Sequence, residues 1–244
     1  MSSQLHAIWN DTQADGSVRQ RLYSVLRQSI IQMVLAPGQA ISEKELAETF
    51  SVSRQPVREA FIRLSEAGLV EVRPQRGTYV VRVSQQAVLQ ARFVREAIEV
   101  AVARAAAQEG LDASILSELH ELIERQRRCS ERDDYDRFFQ LDEAFHRALS
   151  LGVGQSVAWR VTEEVKAQLD RVRYLSIPES TPIPKLADQH QVIVDAIADR
   201  DPEASALAMQ VHQREILHSL PELMRRFPDM FETQQNPAQI MEPS

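Results

Sequence analysis

Residues 41–80 read ISEKELAETFSVSRQPVREAFIRLSEAGLVEVRPQRGTYV, and the periodicity of this stretch decides the fold. Ser42 followed three residues later by Glu45 is a capping box: the hydroxyl caps a helix start and the carboxylate reaches back. Leu46, Ala47 and Phe50 supply the buried side of a short helix, and Ser51-Val52-Ser53 makes a tight turn. Ser53 is placed to cap a second helix, Arg54 to Ala67, which tolerates Pro56 because it falls in the first turn. Val57, Ala60, Phe61 and Leu64 line its inner face, and Gly68 ends it. The apolar period then drops to two: 69–73 is extended, Pro74 to Gly77 turns, and 78–83 is extended again. Two helices joined by a tight turn and followed by a basic hairpin predict a winged helix-turn-helix.

Upstream, 17–34 carries Val18, Leu22, Val25, Leu26, Ile30 and Val34 at helical spacing, ended by Pro37-Gly38. Residues 1–16 are polar and are expected to be flexible. Downstream of Ser84 the chain reads as helix in six segments, near 85–109, 112–131, 133–150, 155–177, 185–199 and 202–220, broken at Gly110, Ser130, Gly152/Gly154, the Pro178–Pro184 loop and Asp201-Pro202. Short connections imply an antiparallel bundle. The expected fold is mainly α, with a winged helix-turn-helix over 17–83, an all-helical domain over 84–225 and a flexible tail over 226–244.

The net charge of −7 is unevenly placed. Residues 1–83 hold 10 Lys+Arg and 8 Asp+Glu, a net of +2, against 18 and 27, a net of −9, in the remainder. A mildly basic head on an acidic body suits a protein that meets phosphate with one end only. The single cysteine, Cys129, excludes an internal disulfide, and no apolar run approaches the ~20 residues of a membrane span, so a cytoplasmic protein is expected.

In a winged helix-turn-helix the N-terminal end of the second helix meets base edges in the major groove. Ser53, Arg54, Gln55 and Arg58 lie there: arginine reads guanine, glutamine reads adenine, and Ser53 with the helix amides suits a phosphate. Arg76, on the hairpin turn before Gly77, reaches the flanking backbone or minor groove. In the body, Asp142 and His146 are four apart and share a helix face, while His190 and His212 lie on two later helices. Antiparallel packing brings three imidazoles and a carboxylate within reach of one another, a donor set for Zn²⁺, Ni²⁺ or Mn²⁺ with coordination positions left open.

The elements S-E-K-E-L-A (42–47), V-S-R-x-P-V-R-E-A (52–60), L-x-E-x-G-L-V (64–70) and R-P-x-R-G-T (73–78) closely resemble the head of the GntR family of transcription regulators. The resemblance implies DNA contacts at Lys44, Ser53, Arg54, Gln55, Arg58, Arg76 and Gly77; relatives often carry Thr or Arg in place of Gln55, so the base read there stays open. Residues 84–220 resemble the FCD sensor domain of the FadR-type branch, through V-R-E-A-I-E (94–99), L-D-E-A-F-H-R-A-L (141–149), D-Q-H-Q-V-I-V-D-A-I (188–197) and A-M-Q-V-H (208–212). That resemblance implies a divalent metal on Asp142, His146, His190 and His212, and a small organic acid as effector. It also places Arg95 in the cavity as the grip on the acid's carboxylate, with an internal salt bridge to Glu99 as the alternative role. Arg173, in D-R-V-R-Y, is a second candidate for the effector, with packing or surface roles as alternatives. The expected partners are a pseudo-palindromic DNA operator, the effector and a second copy of the chain, with no membrane.

The competing class is a metal-dependent hydrolase using the same donors. The chain has no H-E-x-x-H, no G-x-S-x-G and no Gly-rich phosphate loop, and Gly152-Val153-Gly154 follows a helix rather than a strand. A metal site is not by itself a reaction, and the sequence points away from an enzyme.

Overall fold

The computed structural model describes residues 2–12 and 17–233. The head contains α1 (Ser2–Asp11), α2 (Val18–Ile31), β1 (Ala40–Ile41), α3 (Glu43–Thr49), α4 (Arg54–Glu66), β2 (Val70–Arg73) and β3 (Gly77–Val80). Ser17 and Gln20 close a reciprocal capping box on α2, satisfying two amides that the first turn leaves without partners. Ser42 accepts from the Glu45 amide, while Ser53 sits at the N-cap of α4 with no side-chain capping bond. Leu22, Leu26, Val57, Phe61 and Leu64 meet in one buried core under the wing. The wing has the order β1-β3-β2, antiparallel throughout, with Ala40 opposite Tyr79 and Arg73 opposite Gly77. Its turn needs left-handed backbone at Gln75 (φ 59°) and at Gly77 (φ 102°), the latter a conformation open to glycine and strained for other residues.

The body packs α5 (Gln85–Glu109), α6 (Ala113–Ser130), α7 (Tyr135–Gly152), α8 (Ser156–Val165), α9 (Ala167–Glu179), α10 (Ile183–Ala198), α11 (Pro202–Arg214) and α12 (Ile216–Arg226). Helices α5, α6, α7, α10 and α11 enclose the main core, built on Phe138, Phe145, Ile193, Val194 and Met209. A smaller cluster of Val83, Val88, Val172, Leu220, Leu223 and Phe231 joins α5, α9 and α12 near the head.

Five expectations are corrected. The N-terminus, expected to be flexible, forms α1, which buries Leu5 and Ile8 in the head core and stacks Trp9 on Phe50 at 4.9 Å; residues 13–16 lie outside the described residues. The expected tail of 226–244 is docked as far as the structure describes it. Phe231 is buried and bridges Val83, with Val83 N donating to Met230 O and Glu232 N to Val83 O; 234–244 lie outside the described residues. The helix expected over 155–177 is two, parted at Lys166, whose buried ammonium is held by Glu143 and Asp170. The helix expected over 202–220 is also two, parted at Glu215, which accepts from Lys185 and Gln189. Pro178, assigned to a loop, completes the last turn of α9.

Candidate metal centre and DNA-binding surface

Helix α7 presents Asp142 and His146 one turn apart toward the bundle interior, and α10 and α11 bring His190 and His212 to the same point. One ligand atom from each of the four lies within 4.8 Å of all the others, and all four side chains are buried. His212 Nε2 is 3.2 Å from His146 Nε2 and 3.3 Å from His190 Nε2. Asp142 Oδ1 is 3.6 Å from His190 Nε2, and its Oδ2 is 3.9 Å from His146 Nε2.

The opposite edge of each ring faces an oxygen. His190 Nδ1 meets Gln126 Oε1 at 2.8 Å, and His212 Nδ1 meets Gln189 Oε1 at 3.0 Å. His146 Nδ1 is 2.6 Å from Glu99 Oε2, close enough to orient the ring. Those oxygens call for N–H at each Nδ1, which leaves three Nε2 lone pairs and a carboxylate pointing at one another in a dry interior. Unpaired, that arrangement is repulsive and costly. Two nitrogens held about 2.05 Å from one tetrahedral ion stand about 3.3 Å apart, close to the spacing of His212 Nε2 from each of the other two, so the residues fit a divalent cation.

Burial pulls His190 down to about 3 and keeps it neutral, and burial with the neighbouring His190 and His146 holds His212 well below its ordinary value. Burial alone would raise Asp142, but the Arg173 guanidinium and the imidazoles beside it hold its carboxyl below the usual range. Glu99 likewise resists burial and is lowered to about 2 by Arg95 and His146. Neutral His190 and His212 and an ionised Asp142 are the protonation states a metal requires.

Both expected effector residues line a cavity of about 40 Å³ beside this centre, together with Asp142, Ser176, Thr181 and His212. Arg95 is 2% exposed and donates from Nε to Glu99 at 2.6 Å, as in the salt-bridge alternative, yet its Nη2 is buried with no partner. Arg173 is more fully engaged: it pairs with Asp142, with Glu143 at 2.8 Å and with Asp170 at 3.0 Å. The sequence reading missed the residues that orient the rings. Glu99 and Gln189 sit inside quoted motifs next to recognised positions, whereas nothing local marks Gln126.

On the head, Lys44, Ser53, Arg54, Gln55, Arg58, Arg76 and Gly77 are all exposed. Arg54, Arg58 and Arg76 make no ion pair among the described residues, so they are available to phosphate and bases. Ser53, free of a capping bond, leaves its hydroxyl and the α4 amides facing out together. Two are engaged: Lys44 pairs with Glu48 at 3.9 Å, and the Gln55 amide donates to Glu59 at 2.9 Å, which also pairs with Arg19 at 3.2 Å.

The model of bacterial regulatory proteins of the gntR family matches residues 18–80, and that of the FCD domain matches residues 90–215. The chain belongs to the GntR family and is a DNA-binding transcriptional regulator. It is 42% identical over 214 residues to the HTH-type transcriptional repressor RspR of Escherichia coli K12, covering 88% of this chain and 93% of that protein. A regulator from an unstable DNA locus of Streptomyces ambofaciens is 38% identical over 223 residues, covering 91% and 93%. Escherichia coli McbR/YncC shares the fold at a TM-score of 0.74 and 20% identity, covering 87% of this chain and 99% of that one. A GntR regulator from Rhodococcus sp. RHA1 gives 0.70 at 23% identity, covering 84% and 99%. No helix among the described residues is long and apolar enough to cross a membrane.

Proposed function

We propose that this regulator is a cytoplasmic member of the FadR-type branch, a homodimer reading a pseudo-palindromic operator, whose DNA affinity responds to a small carboxylate at a metal-bearing centre. The observation carrying this reading is the set of three Nε2 atoms at 3.2 and 3.3 Å with each Nδ1 turned to an outward oxygen. Zn²⁺, Ni²⁺ or Mn²⁺ suits the donors and keeps positions open for an oxygen ligand. The buried, unpartnered Nη2 of Arg95 is the place for a second carboxylate oxygen, because a guanidinium binds a carboxylate through paired N–H groups. Similarity to a protein named a repressor supports repression as the sense of the response. The metal-dependent hydrolase reading gains no support from the matches or from the site.

For the dimer, Val157, Val161 and Val165 repeat every four residues on α8 and are exposed, and α5, which packs on α8, exposes Leu89 and Phe93. Apolar surface of this kind is suited to a second copy. The experiment that tests the metal reading is elemental analysis of protein purified without chelator or affinity tag, with about one ion per chain expected. Metal-free protein whose melting ignores added Zn²⁺, Ni²⁺ and Mn²⁺ overturns it.

A further inference from the structure

Between the metal centre and the head runs an unbroken line of ion pairs. Arg173 of α9 contacts Asp142 through Nη2, and through Nη1 contacts Glu143 Oε1 at 2.8 Å and Asp170 Oδ1 at 3.0 Å. The other oxygen of Asp170 accepts from Lys166 Nζ at 2.7 Å and from Nη2 of Arg27, in helix α2 of the head, at 3.0 Å. Lys166 also pairs with Glu143. Asp170 and Lys166 are fully buried, and Arg27 is 19% exposed. We propose that this line, Asp142–Arg173–Asp170–Arg27, carries the charge state of the metal centre to α2 and so couples the sensor to the DNA-binding head. The proposal rests on the metal reading above.

Three cations, Arg27, Lys166 and Arg173, are matched by three carboxylates, Asp142, Glu143 and Asp170. A divalent ion on Asp142 draws on the charge that otherwise balances Arg173 and sets further positive charge beside it. Arg173 then leans harder on Glu143 and Asp170, in a buried setting where each pairing is weakly screened. Asp170 already serves Lys166, Arg173 and Arg27 with two oxygens, so a stronger claim by Arg173 comes at the expense of another. Arg27 is the member that gives way, because it is the most exposed of those on Asp170 and, unlike Lys166 and Arg173, makes no ion pair with Glu143. Helix α9 contacts the head elsewhere as well, through Gln168 donating to Gly68 O at 2.6 Å and through Ala167 in the head core. Loosening Arg27 therefore changes how α2 sits on α9 without undocking the head.

Coupling is reciprocal: if the ion weakens the Arg27 tether, cutting the tether strengthens ion binding. The test is calorimetric titration of full-length, metal-free protein with Zn²⁺, with amide hydrogen exchange of residues 18–31 measured with and without the ion. Arg27→Gln, remote from the centre, is expected to bind Zn²⁺ at least about 5-fold more tightly than the unaltered chain. Arg27→Lys, which keeps the charge, is expected to return toward the original affinity. Zn²⁺ is expected to speed exchange in α2 of the unaltered chain but not of Arg27→Gln. Equal Zn²⁺ affinities for all three proteins, with α2 exchange indifferent to the ion, overturn the relay and leave the metal centre standing. An absence of Zn²⁺ binding at Asp142 and the three histidines overturns both.

Discussion

Gln126 illustrates how much of the histidine cluster depends on a group outside it. Its carbonyl oxygen fixes the tautomer and ring angle of His190, and removing the acceptor leaves the imidazole free to turn. Gln126→Leu is expected to weaken metal binding by about 10–100-fold, with partial recovery in Gln126→Glu, read by competition with a chromogenic chelator. A change in melting temperature with no change in metal affinity would assign Gln126 to packing alone. Arg95→Ala is expected to keep the metal and lose the response of DNA binding to small carboxylates, whereas His190→Ala loses both. On the head, Arg54→Ala is expected to abolish sequence preference, a bidentate base contact being worth about 1–3 kcal/mol in each half-site. Lys44→Ala is expected to weaken all sequences alike and flatten the salt dependence. Competition between operator and random duplex at several salt concentrations separates the two.

Helix α1 is the element whose contribution is easiest to isolate. Leu5 and Ile8 enter the head core, Trp9 stacks on Phe50, and Arg21 lies 4.0 Å over the Trp9 ring while donating to its carbonyl. Each buried aliphatic side chain contributes about 1.5–3 kcal/mol of transfer energy, partly offset by the entropy of ordering the helix. Deleting residues 1–12 is expected to lower the melting temperature of the head and expose Phe50 and its neighbours to a hydrophobic dye. An unchanged melt would mean that α1 is bound too weakly to matter. At the other end, Phe231→Ala empties a place beside Val83 and Val88 and is expected to cost about 3–5 kcal/mol, less where the site collapses.

At the scale of the whole molecule, pH acts through the buried imidazoles. His190 titrates near 6.5 when unfolded and near 3 when folded, so below pH 6.5 the unfolded chain binds the extra proton. Stability is therefore fully present above pH 6.5 and falls as pH drops toward 3, with His212 adding in the same direction. Thermal melts of metal-free protein between pH 7.5 and 4.5 are expected to show this decline, and a flat profile would mean that the folded rings take up protons as readily as the unfolded ones. Added metal is expected to raise the melting temperature at pH 7.5 and to lose that effect on acidification, because protons compete for the same nitrogens. Assembly belongs to this scale too. Val161→Glu on α8 is expected to yield monomers that hold metal but bind operator weakly, as light scattering with parallel metal analysis would show.

The local code settled much of this protein before any packing was known. Ser42, Gly68 and Asp201-Pro202 fix helix ends through bonds with near neighbours, and the change of period after Gly68 marks the wing, so the plan of the head was legible in the sequence. Asp142 and His146 declared a common face because four residues make about one turn of helix. The rest depends on partners far apart in the chain. β1 is two residues long and exists only because β3 pairs with it; α1 and Phe231 looked polar-flanked and free until a distant core received them. The breaks at Lys166 and Glu215 follow from side chains pinned by other helices, against a local propensity that favoured continuing. Gln126, Arg27 and Asp170 carry no local signal at all: their meaning comes from which atoms the tertiary fold sets about 3 Å away, and sequence spacing holds no record of that distance.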